Sequence, residues 1–339
     1  TNYKRIYRRS FTADYYIYNV ETKNLKKLSE NGSEQIPTFS PDGKKIAFVR
    51  KNNIFITDGN GEKQITTDGE FNKIINGLPD WVNEEEFSFN NALAWSADSK
   101  TLSWIKYDES KVKTYSLQMF KGSNPELDEY SDYPGLYSYK YPKAGQDNSK
   151  VSAWSYDLAS GKTIQYSLPL DSDGYIPRIR TTNDAARIVL FTMNRHQNSL
   201  KIYAANPADG SCKLILEETN PKYVKEEAME GIVIGKKRIL LPSDRDGIMS
   251  LYLYDINGKL LGKYPTKREV TDVYGYDENS GKAYIQTVGA TPMDRTVSIV
   301  SPKSSNDITG LEGWNSARFS GDYQYFLNTW SDANHPYVY

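Results

Sequence analysis

Histidine and cysteine are almost missing from this chain. Cys212 is the single thiol, and His196 and His335 are the two imidazoles, in 339 residues. One thiol cannot staple a chain to itself, so the fold must stand on its own core. Two isolated imidazoles exclude a zinc cage built on histidine or Cys/His spacing. They also leave a Ser–His–Asp triad without its geometry, and each reads as a turn cap or a neighbour of aromatic rings. The Gly-x-Ser-x-Gly elbow of a serine hydrolase is absent; Gly313-Trp314-Asn315-Ser316-Ala317 is nearest and fails. A glycine-rich phosphate loop is absent as well. No run of about 18 apolar residues offers a membrane span. No secretory signal precedes Thr1-Asn2-Tyr3-Lys4, so the start reads as processed or trimmed. Charge of one sign is also lacking: 42 basic residues face 43 acidic ones, for a formal net charge of −1. Such balance gives no long-range field for nucleic acid or an anionic membrane, and nucleic acid is not expected as a partner.

What the chain does have is tyrosine, 27 of them, with aromatics at 13% of all residues. Aromatic side chains suit pleated, half-buried surfaces and favour strands. A repeat organises them. Phe39-Ser40-Pro41-Asp42-Gly43-Lys44-Lys45-Ile46-Ala47-Phe48-Val49 reads as strand end, turn and second strand. Pro presets φ in that turn and Gly permits φ > 0. The pattern returns at Trp95-Ser96-Ala97-Asp98-Ser99, near Thr182-Asn183-Asp184, at Tyr276-Asp277-Glu278-Asn279-Ser280-Gly281, and at Phe319-Ser320-Gly321-Asp322. Most copies neighbour a second hairpin, such as Ile54-Phe55-Ile56-Thr57-Asp58-Gly59 or Leu251-Tyr252-Leu253-Tyr254-Asp255-Ile256-Asn257-Gly258. Two hairpins make a four-stranded antiparallel blade, and the clear copies recur at roughly 40–55 residues, the spacing of propeller blades. The expectation is an all-β chain, a β-propeller over 1–339, with about six recognisable units and a partial one. A segment at about 106–150, rich in Ser, Tyr, Asp and Pro, reads as an inserted hairpin or extended arm. Regular repetition through the whole chain argues against a pair of β-sandwiches.

One stretch does not belong to the repeat. Gly77-Leu78-Pro79-Asp80-Trp81-Val82-Asn83-Glu84-Glu85-Glu86-Phe87 resembles the double-glutamate motif of the dipeptidyl peptidase IV family, Asp-Trp-Val-x-Glu-Glu-Glu. Ala92-Leu93-Ala94-Trp95-Ser96 is similar to the family's continuation, and Arg8-Arg9-Ser10-Phe11-Thr12-Ala13 to its segment bearing a substrate-contacting arginine. Tyr141-Pro142-Lys143-Ala144-Gly145, Met193-Asn194-Arg195-His196-Gln197-Asn198 and Pro292-Met293-Asp294-Arg295 are similar to bacterial members, in the family's order. Asn83 stands where vertebrate members carry an aromatic. The resemblance implies an eight-bladed propeller whose first blade is missing here, and a short helix carrying the glutamates. It also implies that the α/β-hydrolase domain with the Ser–Asp–His triad is absent from this chain, which alone should be inactive.

The residue roles that the resemblance implies are specific. Glu85 and Glu86 bind the substrate's N-terminal ammonium, and Arg8 holds the carbonyl of the second residue. The parent reaction is release of Xaa-Pro or Xaa-Ala dipeptides from a peptide with a free N-terminus, with the propeller gating the active site. No metal and no cofactor are implied. Homodimerisation of the full-length enzyme, a periplasmic or cell-surface location, and the 106–150 arm as a dimer contact come from the same likeness. The chemistry is coherent. Carboxylates accept charge-assisted hydrogen bonds, and two adjacent like charges repel until an incoming ammonium relieves them. An internal peptide segment has no ammonium to offer, so the pair also gauges length.

Read without that motif, the acidic run has a plainer account. Asn83 and Glu86 have the N-cap-to-N3 spacing of a capping box, and acidic residues suit a helix's first turn. The motif turns the reading toward recognition for Glu85 and Glu86 and leaves Glu84 as a helix-start or surface charge. Trp81, Trp95 and Trp104 read as core anchors, Arg195 and Arg295 as structural partners, and Cys212 as inert. Two rivals stand beside this reading. One is a stand-alone propeller that binds protein or glycan. The other is an acylaminoacyl or prolyl oligopeptidase, which needs no ammonium pocket.

Overall fold

The computed structural model describes residues 1–123 and 126–339; residues 124 and 125, inside the expected arm, lie outside the described residues. Strand accounts for 45% of the chain and helix for 4%, so the all-β expectation holds. The chain divides into two compact units: Thr1–Arg195 with Ile202–Lys213, and His196–Lys201 with Leu214–Tyr339.

In the first unit, Gln35–Phe39, Ile46–Arg50, Asn53–Thr57 and Glu62–Gln64 form a four-stranded sheet in sequence order, each neighbour antiparallel. Leu93–Trp95, Thr101–Asp108, Lys150–Asp157 and Thr163–Gln165 form the next, and Ile74–Asn76 pairs onto the far end of Thr101–Asp108. Between Thr101–Asp108 and Lys150–Asp157 the chain runs out into a two-stranded ribbon, Thr114–Met119 against Gly135–Lys140. The repeat turns close on themselves through side chains. Ser40 Oγ donates to Asp42 Oδ1 at 2.6 Å and accepts the N–H of Lys45 at 3.0 Å. Gly43 sits at φ +70° within that turn. The second copy repeats this with Ser96 Oγ to Asp98 at 2.7 Å and the N–H of Thr101 at 3.0 Å. The two turns meet where Asp42 N–H donates to Ser99 Oγ at 3.0 Å.

Apolar side chains from both sheets fill one core that includes Val49, Ile54, Trp95, Leu102, Trp104 and Ile105. Trp95 and Trp104 are buried anchors, as their size and apolar surface demand. The Trp104 indole N–H finds the Asn76 side-chain oxygen at 3.2 Å, so its burial leaves no orphaned donor.

In the second unit, Val233–Ile234, Arg238–Ser243, Ser250–Asp255 and Leu260–Lys263 form a four-stranded antiparallel sheet. Val270–Asp277, Lys282–Val288, Arg295–Ser301 and Ser304–Asp307 form another, extended by the hairpin Trp314–Phe319 and Phe326–Ser331. The last repeat turn closes like the first, with Ser320 Oγ on Asp322 at 2.6 Å. Leu240, Leu251, Tyr264, Ile285 and Val300 belong to this unit's core. Among the described residues no helix is long and apolar enough to cross a membrane.

Candidate functional site

The one α-helix among the described residues, Trp81–Glu86, stands in sequence between the sheets that begin at Gln35–Phe39 and Leu93–Trp95, after the strand Ile74–Asn76. Gly77 makes the exit possible. It adopts φ +79°, and a Cβ there would lie 2.6 Å from Leu93 Cδ2. Its N–H donates to Ile105 O and its carbonyl accepts from Ala92 N–H, each at 3.0 Å, so the turn is pinned to the neighbouring strand on both sides. Asp80 then caps the helix. Its Oδ1 accepts the N–H of Asn83 and the Asn83 side-chain amide, both at 2.8 Å. This corrects the capping box read at Asn83 and Glu86. Asp80 is the N-cap and Asn83 is the N3 residue, because Asp80 stands in extended backbone directly ahead of the first helical residue, where its carboxylate accepts the otherwise free N–H of Asn83. Ser149 Oγ donates to the other Asp80 oxygen. Trp81 is only partly buried, and it stacks on Tyr141 with ring centroids 4.0 Å apart. Phe87 ends the helix, 1% exposed and edge-on to Tyr175 at 5.2 Å.

Arg8 comes from a different element. Lys4–Arg5 and Phe11–Thr12 pair antiparallel, and the chain turns between them. Ile6 N–H and Tyr7 N–H both donate to Ser10 O, at 2.9 and 3.3 Å, which leaves Arg8 at the tip. The tip lies against the helix. Arg8 Nε donates to Glu85 Oε1 at 2.7 Å and Oε2 at 2.9 Å, and Arg8 Nη2 lies 2.6 Å from Oε1. The side chains are 63% and 24% exposed respectively, so this fork faces solvent on the arginine side. The hydrogen bonds from Arg8 hold the Glu85 carboxyl below the usual carboxylate range, and its pairing raises Arg8 in turn.

Three consecutive glutamates thus meet three environments. Glu85 is engaged by Arg8 and still half-exposed. Glu86 is exposed and has no hydrogen bond or ion pair among the described residues. Glu84 is 1% exposed, and its Oε1 accepts the backbone N–H groups of Arg9 at 2.7 Å and Ser10 at 2.9 Å. Glu84 does lie in the helix's first turn, as the helix-start reading has it, but the surface-charge alternative is corrected. It is the most enclosed of the three, because the Arg8 turn closes over it.

A further acidic group was not foreseen. Glu109 is buried, and burial followed by the negative charge of Asp80 pushes its carboxyl up to about 8, against the pull of Lys140. Burial also holds the Tyr7 hydroxyl well above its ordinary value. Nothing in Asp108-Glu109-Ser110 marks this as other than a polar turn; burial and the charge of Asp80, distant in sequence, make the difference. Among the remaining expectations, His335 Nδ1 lies 2.8 Å from Asp332 Oδ1, and its ring is 5.4 Å from Trp330, as a turn cap packed on an aromatic should be. Burial lifts the Cys212 thiol to about 11, which suits an unreactive group. Among the described residues no group of three or more His, Cys, Asp or Glu could hold a metal ion.

Comparison with known proteins decides the family. The model of the dipeptidyl peptidase IV (DPP IV) N-terminal region matches residues 1–337. The chain belongs to the dipeptidyl peptidase IV family. Within that family it is 28% identical, over 99% of its length, to a probable dipeptidyl peptidase 4 of Aspergillus clavatus, of which it covers 46%. It is 34% identical, over 63% of its length, to a probable dipeptidyl-aminopeptidase B of Emericella nidulans, of which it covers 25%. The crystal structure of Porphyromonas gingivalis dipeptidyl peptidase 4 matches the whole chain with a TM-score of 0.93 and 41% identity, and the chain covers 48% of it. This DPP IV-family chain therefore spans less than half the length of these relatives, and its fold is that of the N-terminal propeller region.

Proposed function

We propose that this chain is the substrate-reading propeller of a dipeptidyl peptidase IV-like serine exopeptidase, with Glu85 and Glu86 receiving the substrate's N-terminal ammonium and Arg8 the carbonyl of its second residue. The observation that carries the reading is the open fork: Arg8 grips Glu85 with Nε and Nη2, while Glu85 keeps a solvent face and the adjacent Glu86 is exposed and has no partner among the described residues. A carboxylate fully consumed by arginine would have nothing to offer an ammonium. A carboxylate held in place on one side and open on the other is pre-organised for a second cation. Glu86 supplies the second negative charge. The nucleophile belongs to an α/β-hydrolase domain outside residues 1–339, and the propeller limits access to it. Release of Xaa-Pro or Xaa-Ala dipeptides follows as the reaction, in a homodimeric protein of the periplasm or cell surface.

The test uses the complete enzyme and a chromogenic Xaa-Pro amide. Glu85→Gln and Glu86→Gln should each lower kcat/KM by at least about tens of fold, since each removes one of the two charges that the substrate's ammonium meets as it shields them from water. Acetylation of the substrate's amine should abolish turnover in the parent enzyme. Normal turnover by both variants removes the assignment.

A further inference from the structure

Glu84 lies in the same acidic run and is assigned no contact with substrate. Its position is nonetheless the most constrained of the three. One oxygen, Oε1, accepts two successive backbone N–H groups, Arg9 at 2.7 Å and Ser10 at 2.9 Å, across 75 and 74 positions of sequence. These are the amides that directly follow Arg8. A side chain that is 1% exposed and bonded to adjacent peptide planes fixes the orientation of the chain as well as its place. Two lesser contacts brace the same turn from beyond the helix end. Arg9 Nη2 donates to Ser88 Oγ at 2.8 Å, and the Asn90 side-chain amide donates to Arg9 O at 2.9 Å.

The Arg8–Glu85 fork cannot set this geometry alone. It is open to solvent on the arginine side, and an exposed ion pair holds little against water and salt. In the proposed reaction it must also admit a competing cation. Charge-assisted bonds sheltered from water are the stronger tie.

We infer that Glu84 is a positioning residue, a buried latch that fixes the backbone of the Arg8 turn against the helix and so sets where the Arg8 guanidinium stands relative to Glu85 and Glu86. This rests on the proposed reading in which those three receive the substrate's N-terminus. Reach matters here more than charge. Glutamine keeps a carbonyl oxygen at the end of the same stem and still accepts both N–H groups. Aspartate keeps the charge but withdraws it by one methylene.

The experiment compares Glu84→Gln, Glu84→Asp and Glu84→Ala in the complete enzyme. Glu84→Asp and Glu84→Ala should lose about ten- to a hundredfold in kcat/KM, the scale of displacing a substrate-positioning group by about an ångström. Glu84→Gln should stay within about threefold of the parent. In an Arg8→Ala background, adding Glu84→Ala should cost less than about threefold more, because a residue acting through Arg8 has nothing left to position. Hydrogen exchange of the peptide covering residues 8–11 should rise in Glu84→Asp and not in Glu84→Gln, with exchange elsewhere unchanged. The inference is overturned if Glu84→Asp works normally while Glu84→Gln fails, or if the Glu84→Ala loss is undiminished without Arg8. If Glu84→Ala does not fold, Glu84→Gln and Glu84→Asp decide the matter by the same contrast. Failure of the ammonium reading is separate: it shows in Glu85→Gln and Glu86→Gln turnover, whatever the exchange pattern of residues 8–11.

Discussion

Two arginine–carboxylate pairs in the first unit use the same chemistry toward different ends. Arg50 and Glu62 lie within one four-stranded sheet, with side chains 11% and 18% exposed. Arg50 Nη1 also donates to Ser29 Oγ at 3.0 Å, and its guanidinium lies over Phe55, 4.2 Å from the ring centroid. Glu62 accepts further from Ser29 Oγ at 2.8 Å and Asn31 at 2.7 Å. Burial works against the Glu62 charge, yet Arg50, Ser29 and Asn31 together hold its carboxyl below the ordinary range. Both members of that pair are occupied by protein groups on several sides. Arg8 and Glu85 share the fork but not the enclosure, and beside them Glu86 is unpaired among the described residues. The difference is one of unused capacity. A structural ion pair is enclosed by protein partners on several sides, whereas a recognition site holds its charges in place and leaves a face open.

The sharpest way to break that comparison is to remove each arginine in turn. Arg50→Ala leaves Glu62 enclosed without its cation and should cost about 2–4 kcal/mol of stability, the buried-pair scale discounted for partial exposure. Urea titration of the chain at neutral pH reads it directly. A loss much below that range would mean that Arg50 and Glu62 are held no more firmly than a surface pair.

Glu109 sharpens the comparison from the other side, as a buried carboxyl that no arginine grips among the described residues. Its carboxyl is pushed from 4.5 to about 8 in the folded chain. The folded state therefore binds a proton there that the unfolded state releases between these values, and stability falls as pH rises through that window. Above about pH 8 the penalty is complete and constant. Glu109→Gln removes it, so the variant should match the parent near pH 4.5 and exceed it by about 1–3 kcal/mol at pH 8.5. Urea midpoints at three pH values test this; a stability difference that does not change with pH would show that Glu109 is not charged against burial.

Sequence made the repeat legible because the repeat is local. Ser40 closes onto Asp42 and Lys45 within one turn, and Ser96 and Ser320 do the same, so five or six residues carry the whole device. The helix was also legible, but its first residue was not placed. Asn83 and Glu86 imitate a capping box, while Asp80, directly ahead of the helix, was the better cap by chemistry and could have been preferred on that ground. Glu84 could not be read at all. Its role depends on Arg9 and Ser10 arriving from more than seventy residues earlier, and no pattern within Glu84-Glu85-Glu86 separates the buried member from the exposed ones. The Trp81–Tyr141 stack was hidden for the same reason: it joins the helix to the base of the arm, some sixty residues on.

The smallest expected effect on the fold is the most telling for the site. Arg8→Ala removes a guanidinium that is largely in solvent, and the turn that bears it is still held by Glu84 through the backbone of Arg9 and Ser10. The urea midpoint should therefore stay where it is, in contrast to Arg50→Ala. The Glu85 carboxyl should not stay where it is. Hydrogen bonds from Arg8 are the main cause of its lowered pKa, so their loss should move its titration upward toward that of an ordinary glutamate. Carbon-detected NMR of the Glu85 side chain would follow the shift. A lowered midpoint would place Arg8 with Arg50 as a structural residue, and an unmoved titration would mean that the fork does not persist in solution. An unmoved midpoint together with a raised carboxyl would separate the two arginines cleanly: one holds a sheet together, and the other only sets the state of a neighbouring charge.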